Sequence, residues 1–215
     1  MASAGLKHMR MKFMKTLIKN KADSTSIEDT VNTLLNGGIV IIPTDTVYGF
    51  SGIVDLKTAA TCYETDSKIR AIKGRSETKP LIQLIARPED LSLYTDDIIP
   101  QSLLDKWPGA LTIIVHVKKD SPLAPSAALP TIAFRCPGDA WLRKIIERCN
   151  APIFSTSVNR SGQPVLDTEE AIITEFSNQA DLIILDGDKK NALPSTLVSI
   201  EDGTPKVLRQ GAIKL

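Results

Sequence analysis

The chain has 215 residues, 42% hydrophobic and 24% charged, and its 26 Lys+Arg nearly balance 25 Asp+Glu for a formal net charge of +1. This is the composition of a globular protein with one substantial core. It excludes a polyelectrolyte that holds nucleic acid or membrane by overall charge, so any attraction for anions must be local.

The elements follow in chain order. Residues 1–20 are rich in Lys, Arg and Met, lack the apolar run of a signal peptide, and read as an N-terminal tail that is in part an expression leader. Residues 21–215 read as a single domain. Ser26 to Asn36 predicts a helix, with Ser26 as N-cap and Gly37-Gly38 as the stop. Ile39 to Ile42 is a β-branched run that predicts a strand buried on both faces, ended by Pro43 and a turn at Thr44-Asp45. Thr58 to Lys73 predicts a second helix, capped by Gly74 in a left-handed conformation. Leu81 to Ile85, Leu111 to Val117 and Thr131 to Arg135 predict strands, with a helical stretch from Pro88 between the first two. Ala140 to Cys149 and Glu169 to Phe176 predict helices; Leu182 to Leu185, Thr196 to Ile200 and Val207 to Arg209 predict strands. The alternation defines an α/β fold, a twisted mixed sheet flanked by helices with a concave ligand cleft. No stretch approaches the ~20 apolar residues of a membrane span.

The histidines are two, His8 and His116, and His116 falls on the less apolar face of its strand. Three cysteines, Cys62, Cys136 and Cys149, show no CxxC spacing. These counts leave little room for Ser-His-Asp, Cys-His or zinc chemistry, and the odd cysteine number reads as free thiols in a reducing cytoplasm.

Three polar segments stand out instead: Pro43 to Gly49, Lys73 to Pro80, and Ser155 to Gly162. Each follows or adjoins an apolar or periodic stretch, where a loop at a sheet edge is expected. Lys68, Arg70, Lys73, Arg75 and Lys79 gather over one helix end and the loop after it. Cations at a helix C-terminus are favoured by the macrodipole whether or not they bind anything. Lys73, Arg75 and Lys79, beside the turn at Gly74 and ahead of a buried strand, also suit a phosphate clamp. Neither GxxxxGK[ST] nor GxGxxG occurs to supply a phosphate site by another route. Ser155, Thr156, Ser157 and Asn159 form either a turn or a ring of small donors and acceptors. Arg135 ends a strand, where it can pair with a surface acid or hold a carboxylate bidentately. Thr46, Tyr48 and Gly49 make a tight turn or the floor of a pocket.

Pro43 to Gly49, Lys73-Gly74-Arg75 with Lys79-Pro80-Leu81, Pro108 to Thr112, Arg135-Cys136-Pro137, Ser157-Val158-Asn159 with Ser161-Gly162, Pro194-Ser195-Thr196 and Leu208 to Gly211 occur in this order. Together they resemble the YrdC-like threonylcarbamoyl-AMP synthases, over about Ile27 to Ile213. The resemblance implies an enzyme, a nucleotidyltransferase that makes threonylcarbamoyl adenylate from L-threonine, bicarbonate and ATP with release of pyrophosphate. Transfer proteins then receive the product for adenosine 37 of tRNAs that read codons beginning with A. It implies Lys73 and Arg75 as the catalytic cations and Lys73, Arg75 and Lys79 at the nucleotide phosphates. Thr131, Ser157, Asn159 and the backbone near Val165 are implied in the ATP site, with Arg209 closing over it. Thr46, Arg135 and Ser155 are implied as the threonine pocket. Some members carry a threonine-touching histidine where this chain has Leu84, and Phe50-Ser51-Gly52 replaces a more usual Leu-Gly. The chain ends soon after Gly211, so the extension domain of longer members is not expected.

The implied reaction needs no proton-transfer residue to make its nucleophile, because a carbamate oxygen is already anionic. It needs two anions brought together and charge stabilised on departing pyrophosphate. Mg²⁺, the expected cofactor, would be held mainly through ATP oxygens and water, without a protein metal site. A basic concave face also admits a rival, a non-catalytic RNA-binding module with weak tRNA affinity, although the few aromatics argue against stacking on bases. A second rival is a carbamoyl-adenylate enzyme serving another acceptor, such as a maturation-factor domain.

Overall fold

Residues 16–74, 81–123, 130–201 and 203–215 are described by the computed structural model. The strands are β1 (Leu17–Asn20), β2 (Val40–Ile42), β3 (Gly49–Ser51), β4 (Ile82–Leu84), β5 (Leu111–His116), β6 (Thr131–Arg135), β7 (Ile153–Ser157), β8 (Leu182–Leu185), β9 (Thr196–Glu201) and β10 (Thr204–Arg209). The helices are α1 (Ser26–Leu35), α2 (Thr65–Lys73), α3 (Gln101–Leu104), α4 (Ala140–Cys149) and α5 (Glu169–Phe176), with a 3₁₀ turn over Pro88–Leu93.

The β-branched run of β2 shows why the sheet is covered twice. Alternate residues of a strand point to opposite faces. Val40 and Ile42 join Val31 and Leu34 of α1 and Leu142, Ile145 and Ile146 of α4 in one core. Ile41 joins Phe50, Phe134, Ile172 and Phe176 in the other. Phe50 of β3 meets Phe176 of α5 edge to face, with centroids 4.8 Å apart. Strands follow the order β1-β8-β2-β3-β7-β4-β6-β5-β9-β10 in a ten-stranded mixed sheet. The flanked mixed sheet expected from the alternation is the one observed.

Several local expectations are corrected. Leu17–Asn20, counted with the tail, is edge strand β1, paired parallel with β8. Ser26 is not the cap of α1; Thr25 occupies that position, and the Ser26 hydroxyl donates to the Lys21 carbonyl at 2.8 Å. The helix predicted from Thr58 starts only at Thr65. Asp55 accepts from the Tyr63 and Glu64 amides at 2.9 Å each, and Glu64 is left-handed (φ 50°). An acid that captures amide donors favours the loop over a helical turn. Gly74 ends α2 at φ 61°, as expected. The sequence pattern predicts neither strand β3 nor helix α3, elements of three and four residues.

The most consequential correction is β7. Ser155, Thr156 and Ser157 form no turn; they continue the strand of Ile153 and Phe154. Antiparallel partners lie on both sides: Gly49 opposite Ser157 on β3, and Ile82 opposite Ser155 on β4. Two ladders of backbone hydrogen bonds outweigh the turn preference of three hydroxyl residues. The polar segment is therefore a rigid central strand, and its period of two turns Ser155 and Ser157 to one face.

Candidate functional site

A cleft of about 620 Å³ opens on the sheet face that carries Ser155 and Ser157 of β7, Ile82 of β4, and Ala133 and Arg135 of β6. The turn between β2 and β3 adds Thr44, Thr46 and Tyr48 to the lining, and Val165, Asp167, Lys189, Asn191, Ala192, Pro194, Ser195, Leu197 and Arg209 complete it.

Arg135 anchors the floor. It is 5% exposed and ends β6, as predicted. Its Nε donates to the Gly109 carbonyl (3.0 Å), Nη1 to Thr46 Oγ1 (2.9 Å) and Nη2 to Asp45 Oδ1 (2.6 Å). Burial lowers the Arg135 pKa and the Asp45 carboxylate opposes that shift; a guanidinium stays protonated regardless. Three of its five N–H groups are used in this way, and no described residue accepts the other two. Asp45 also accepts the Gly138 amide at 2.9 Å, so one acid ties the β2–β3 turn to the loop after β6. Thr44 Oγ1 completes the turn, 2.9 Å from Thr46 Oγ1 and donating to the Val47 carbonyl at 2.8 Å.

The end of α2 is docked behind β7. Lys73 is 3% exposed, and its ammonium donates to the carbonyl of Ser157, to the carbonyl of Asn159 (2.9 Å) and to Asn159 Oδ1 (3.0 Å). It lies 5.5 Å from the Phe50 ring centroid. The Ser161 amide donates back to the Lys73 carbonyl at 2.8 Å. Ser157 Oγ lies 2.7 Å from Asn159 Oδ1, and Asn159 Nδ2 closes the turn through the Arg160 and Gln163 carbonyls.

Arg209 comes from the opposite edge. A register shift between Val207 and Arg209 interrupts the β9–β10 pairing, as at a bulge that re-aims a side chain. Its Nη2 donates to the Ser195 carbonyl at 2.9 Å. Buried Ser195 in turn shares a 2.7 Å hydrogen bond with Thr112. Gly211 allows the approach: a Cβ there would lie 2.2 Å from the Pro194 carbonyl oxygen and 2.5 Å from the Ser195 carbonyl carbon. Gly211→Ala is expected to cost about 2 kcal/mol in urea unfolding, because only backbone could yield.

The sequence-predicted residues separate clearly. Thr46, Arg135, Ser155, Ser157, Val165 and Arg209 line one cleft. Lys73 and Asn159 stand behind it, bonded to each other. Thr131 opens β6 opposite His116, on the face of Ala133 and Arg135 but farther along, and does not line the cleft. Arg75 and Lys79 lie outside the described residues. Leu84 is buried in the core of α1 and α4 and takes no part in the cleft. His116 is exposed and lies 3.2 Å from Asp97.

Sequence reasoning did not single out Asp45, Asp167, Lys189 or Asn191. Asp45 had a signal, its place in the Pro43–Gly49 segment; the others lie in loops without one. Tyr48 ties the β2–β3 turn to the segment after β8: its hydroxyl donates to the Gly187 carbonyl (2.9 Å) and accepts the Asp186 amide (2.8 Å). Burial raises the pKa of that phenol, which stays neutral. Burial also pushes the Cys136 and Cys149 thiols up to about 12, so neither is a thiolate nucleophile at neutral pH. Among the described residues no group of three or more His, Cys, Asp or Glu could hold a metal ion, and no helix is long and apolar enough to cross a membrane.

A buried guanidinium with spare donors, two strand hydroxyls and a second arginine line one cleft on an α/β sheet, an arrangement whose chemistry suits an anion. The Sua5_yciO_yrdC family model, described as telomere recombination, matches residues 32–211, and the chain belongs to this family. A threonylcarbamoyl-AMP synthase from Pyrococcus abyssi is 28% identical over 202 residues, 92% of this chain and 57% of that protein. One from Bos taurus is 31% identical over 139 residues, covering 64% and 48%. The chain thus spans about half the length of these relatives. The crystal structure of P. abyssi Sua5 complexed with L-threonine superposes with a TM-score of 0.79 at 27% identity, covering 91% of this chain and 58% of that one.

Proposed function

We propose that the protein is an L-threonylcarbamoyladenylate synthase, converting L-threonine, bicarbonate and ATP to threonylcarbamoyl-AMP and pyrophosphate. The observation that carries this reading is Arg135: a buried guanidinium on the cleft floor, fixed by three protein acceptors and keeping two donors for a ligand carboxylate. The relatives named as synthases and the threonine complex of one structural neighbour support threonine as the amino acid.

In this mechanism the threonine carboxylate sits on Arg135, with Thr46 and Ser155 beside it. The neutral amine adds to bicarbonate and water leaves to give a carbamate, and one carbamate oxygen attacks the α-phosphorus of ATP. The oxygen–phosphorus bond forms as the bond to pyrophosphate breaks, with the electron pair leaving on pyrophosphate. No side chain must create the nucleophile; the protein places the reactants and spreads the charge. Ser157 and Arg209 flank the nucleotide, and Arg75 and Lys79 meet its phosphates. Lys73 contributes by holding the end of β7 in place. Mg²⁺ arrives on the ATP oxygens as part of the substrate. The product passes to transfer proteins that modify adenosine 37 of tRNAs reading codons that begin with A, in the cytoplasm.

The deciding assay is pyrophosphate release from ATP with threonine and bicarbonate each omitted in turn. Release only when both are present is expected. Release indifferent to threonine overturns the reading, and salt-sensitive RNA binding without threonine-dependent ATP consumption makes the RNA-binding module the better account.

A further inference from the structure

Two charged residues that line the cleft, Asp167 and Lys189, are left unused by the proposed mechanism. Asp167 is only partly exposed, and its carboxylate makes no hydrogen bond or ion pair with any described residue. A cation is close at hand but is turned elsewhere. The Lys189 amide donates to the Asp167 carbonyl at 2.7 Å, yet the Lys189 ammonium pairs with Asp186 Oδ2 at 3.2 Å. The Asp167 backbone is also held from the other side: Thr168 caps α5, its hydroxyl accepting the Ala171 amide at 3.3 Å, and the Glu169 amide donates to Asp188 at 3.0 Å. Asp167 is therefore an acceptor-only residue of the cleft lining, on a fixed backbone and without a side-chain donor among the described residues.

We propose that Asp167 reads the ribose of the nucleotide, its carboxylate accepting hydrogen bonds from the 2′- and 3′-hydroxyls. The proposal rests on the ATP-dependent reading above. Electrostatics sets where the nucleotide's parts can lie. A carboxylate that no described cation neutralises repels phosphate, so the triphosphate belongs away from it and the Asp167 end takes the uncharged, donor-bearing part. Val165, two residues earlier and 41% exposed, lines the same end and offers an apolar face to a base. The sugar joined to that base then falls between Val165 and the phosphates, within the reach of Asp167. A vicinal diol presents two donors to an acceptor-only carboxylate, the pairing by which acidic residues hold ribose in dinucleotide sites.

The test compares ATP, 2′-deoxy-ATP, 3′-deoxy-ATP and purine riboside triphosphate (which lacks the 6-amino group) as substrates for wild type, Asp167→Ala and Asp167→Asn. Hydrogen bonds to a charged acceptor predict that wild type prefers ATP to either deoxy analogue by about tenfold or more in kcat/KM. Asp167→Ala should bring the analogues within about twofold of ATP, chiefly by lowering the ATP value, and Asp167→Asn should fall between. A wild type indifferent to the hydroxyls overturns the proposal, as does an alanine variant that keeps full discrimination. Loss of discrimination against the 6-amino analogue alone assigns Asp167 to the base and overturns the ribose role. If wild type releases no threonine-dependent pyrophosphate, the synthase reading fails by itself. Calorimetric affinities for ATP and the two deoxy analogues, in wild type and Asp167→Ala, then read the ribose contact independently.

Discussion

Arg135→Ala is expected to weaken L-threonine binding by about a hundredfold while changing ATP affinity by less than about fivefold. A charge-assisted, two-point contact to a carboxylate on a desolvated floor is worth on the order of 3 kcal/mol. The same guanidinium also neutralises Asp45, whose side chain is 22% exposed. Unfolding stability should therefore drop by ~2 kcal/mol, less than for a fully buried pair because water reaches the acid. Titrating the folded variant with threonine by calorimetry separates the two effects. Arg135→Lys should not restore binding: one ammonium cannot serve Gly109, Thr46, Asp45 and a ligand together. Equal losses of threonine and ATP affinity would remove Arg135 from the carboxylate role.

Lys73→Met is expected to lower stability by about 3 kcal/mol and pyrophosphate release by at least about tenfold. Methionine fills much of the same volume beside Phe50 but donates to neither the Ser157 nor the Asn159 carbonyl. Those acceptors would be left poorly satisfied, and the end of β7 would loosen under Ser157, which lines the cleft. Urea unfolding and the pyrophosphate assay check the pair of effects. Unchanged stability with lost activity would instead make Lys73 a direct phosphate ligand, as the resemblance implies, and would refute the supporting role.

Apolar periodicity located most of the sheet and helices because it is a local record of which face is buried. The β6 and α4 limits were read from sequence as they occur, and the both-faces burial of β2 was legible in Ile39 to Ile42. Failures came where a distant group captures the backbone. Asp55 holds the Tyr63 and Glu64 amides and delays α2. Strands β3 and β4 recruit Ser155 to Ser157 into the sheet from both sides. Neither partner lies in the local sequence window whose conformation it sets.

The same division governs the site. Composition alone left little room for histidine- and cysteine-centred chemistry, and motif order alone pointed to the family and to six residues of one cleft. Only the tertiary structure decided which polar residues line the cleft and which are bonded away from it within the protein. Lys73 and Arg135 look alike in sequence, each a cation at the end of an element beside a turn. Folding buries both, but it gives Lys73 carbonyls that hold its ammonium behind β7, and leaves Arg135 two donors toward the cleft. Asp167 was silent in sequence for the converse reason: its distinction is that no described residue pairs with its side chain. Pairing is set by groups far apart in the chain, as Thr46 and Arg135 are, at a separation of 89 residues, so it is written in the fold and not in any local pattern.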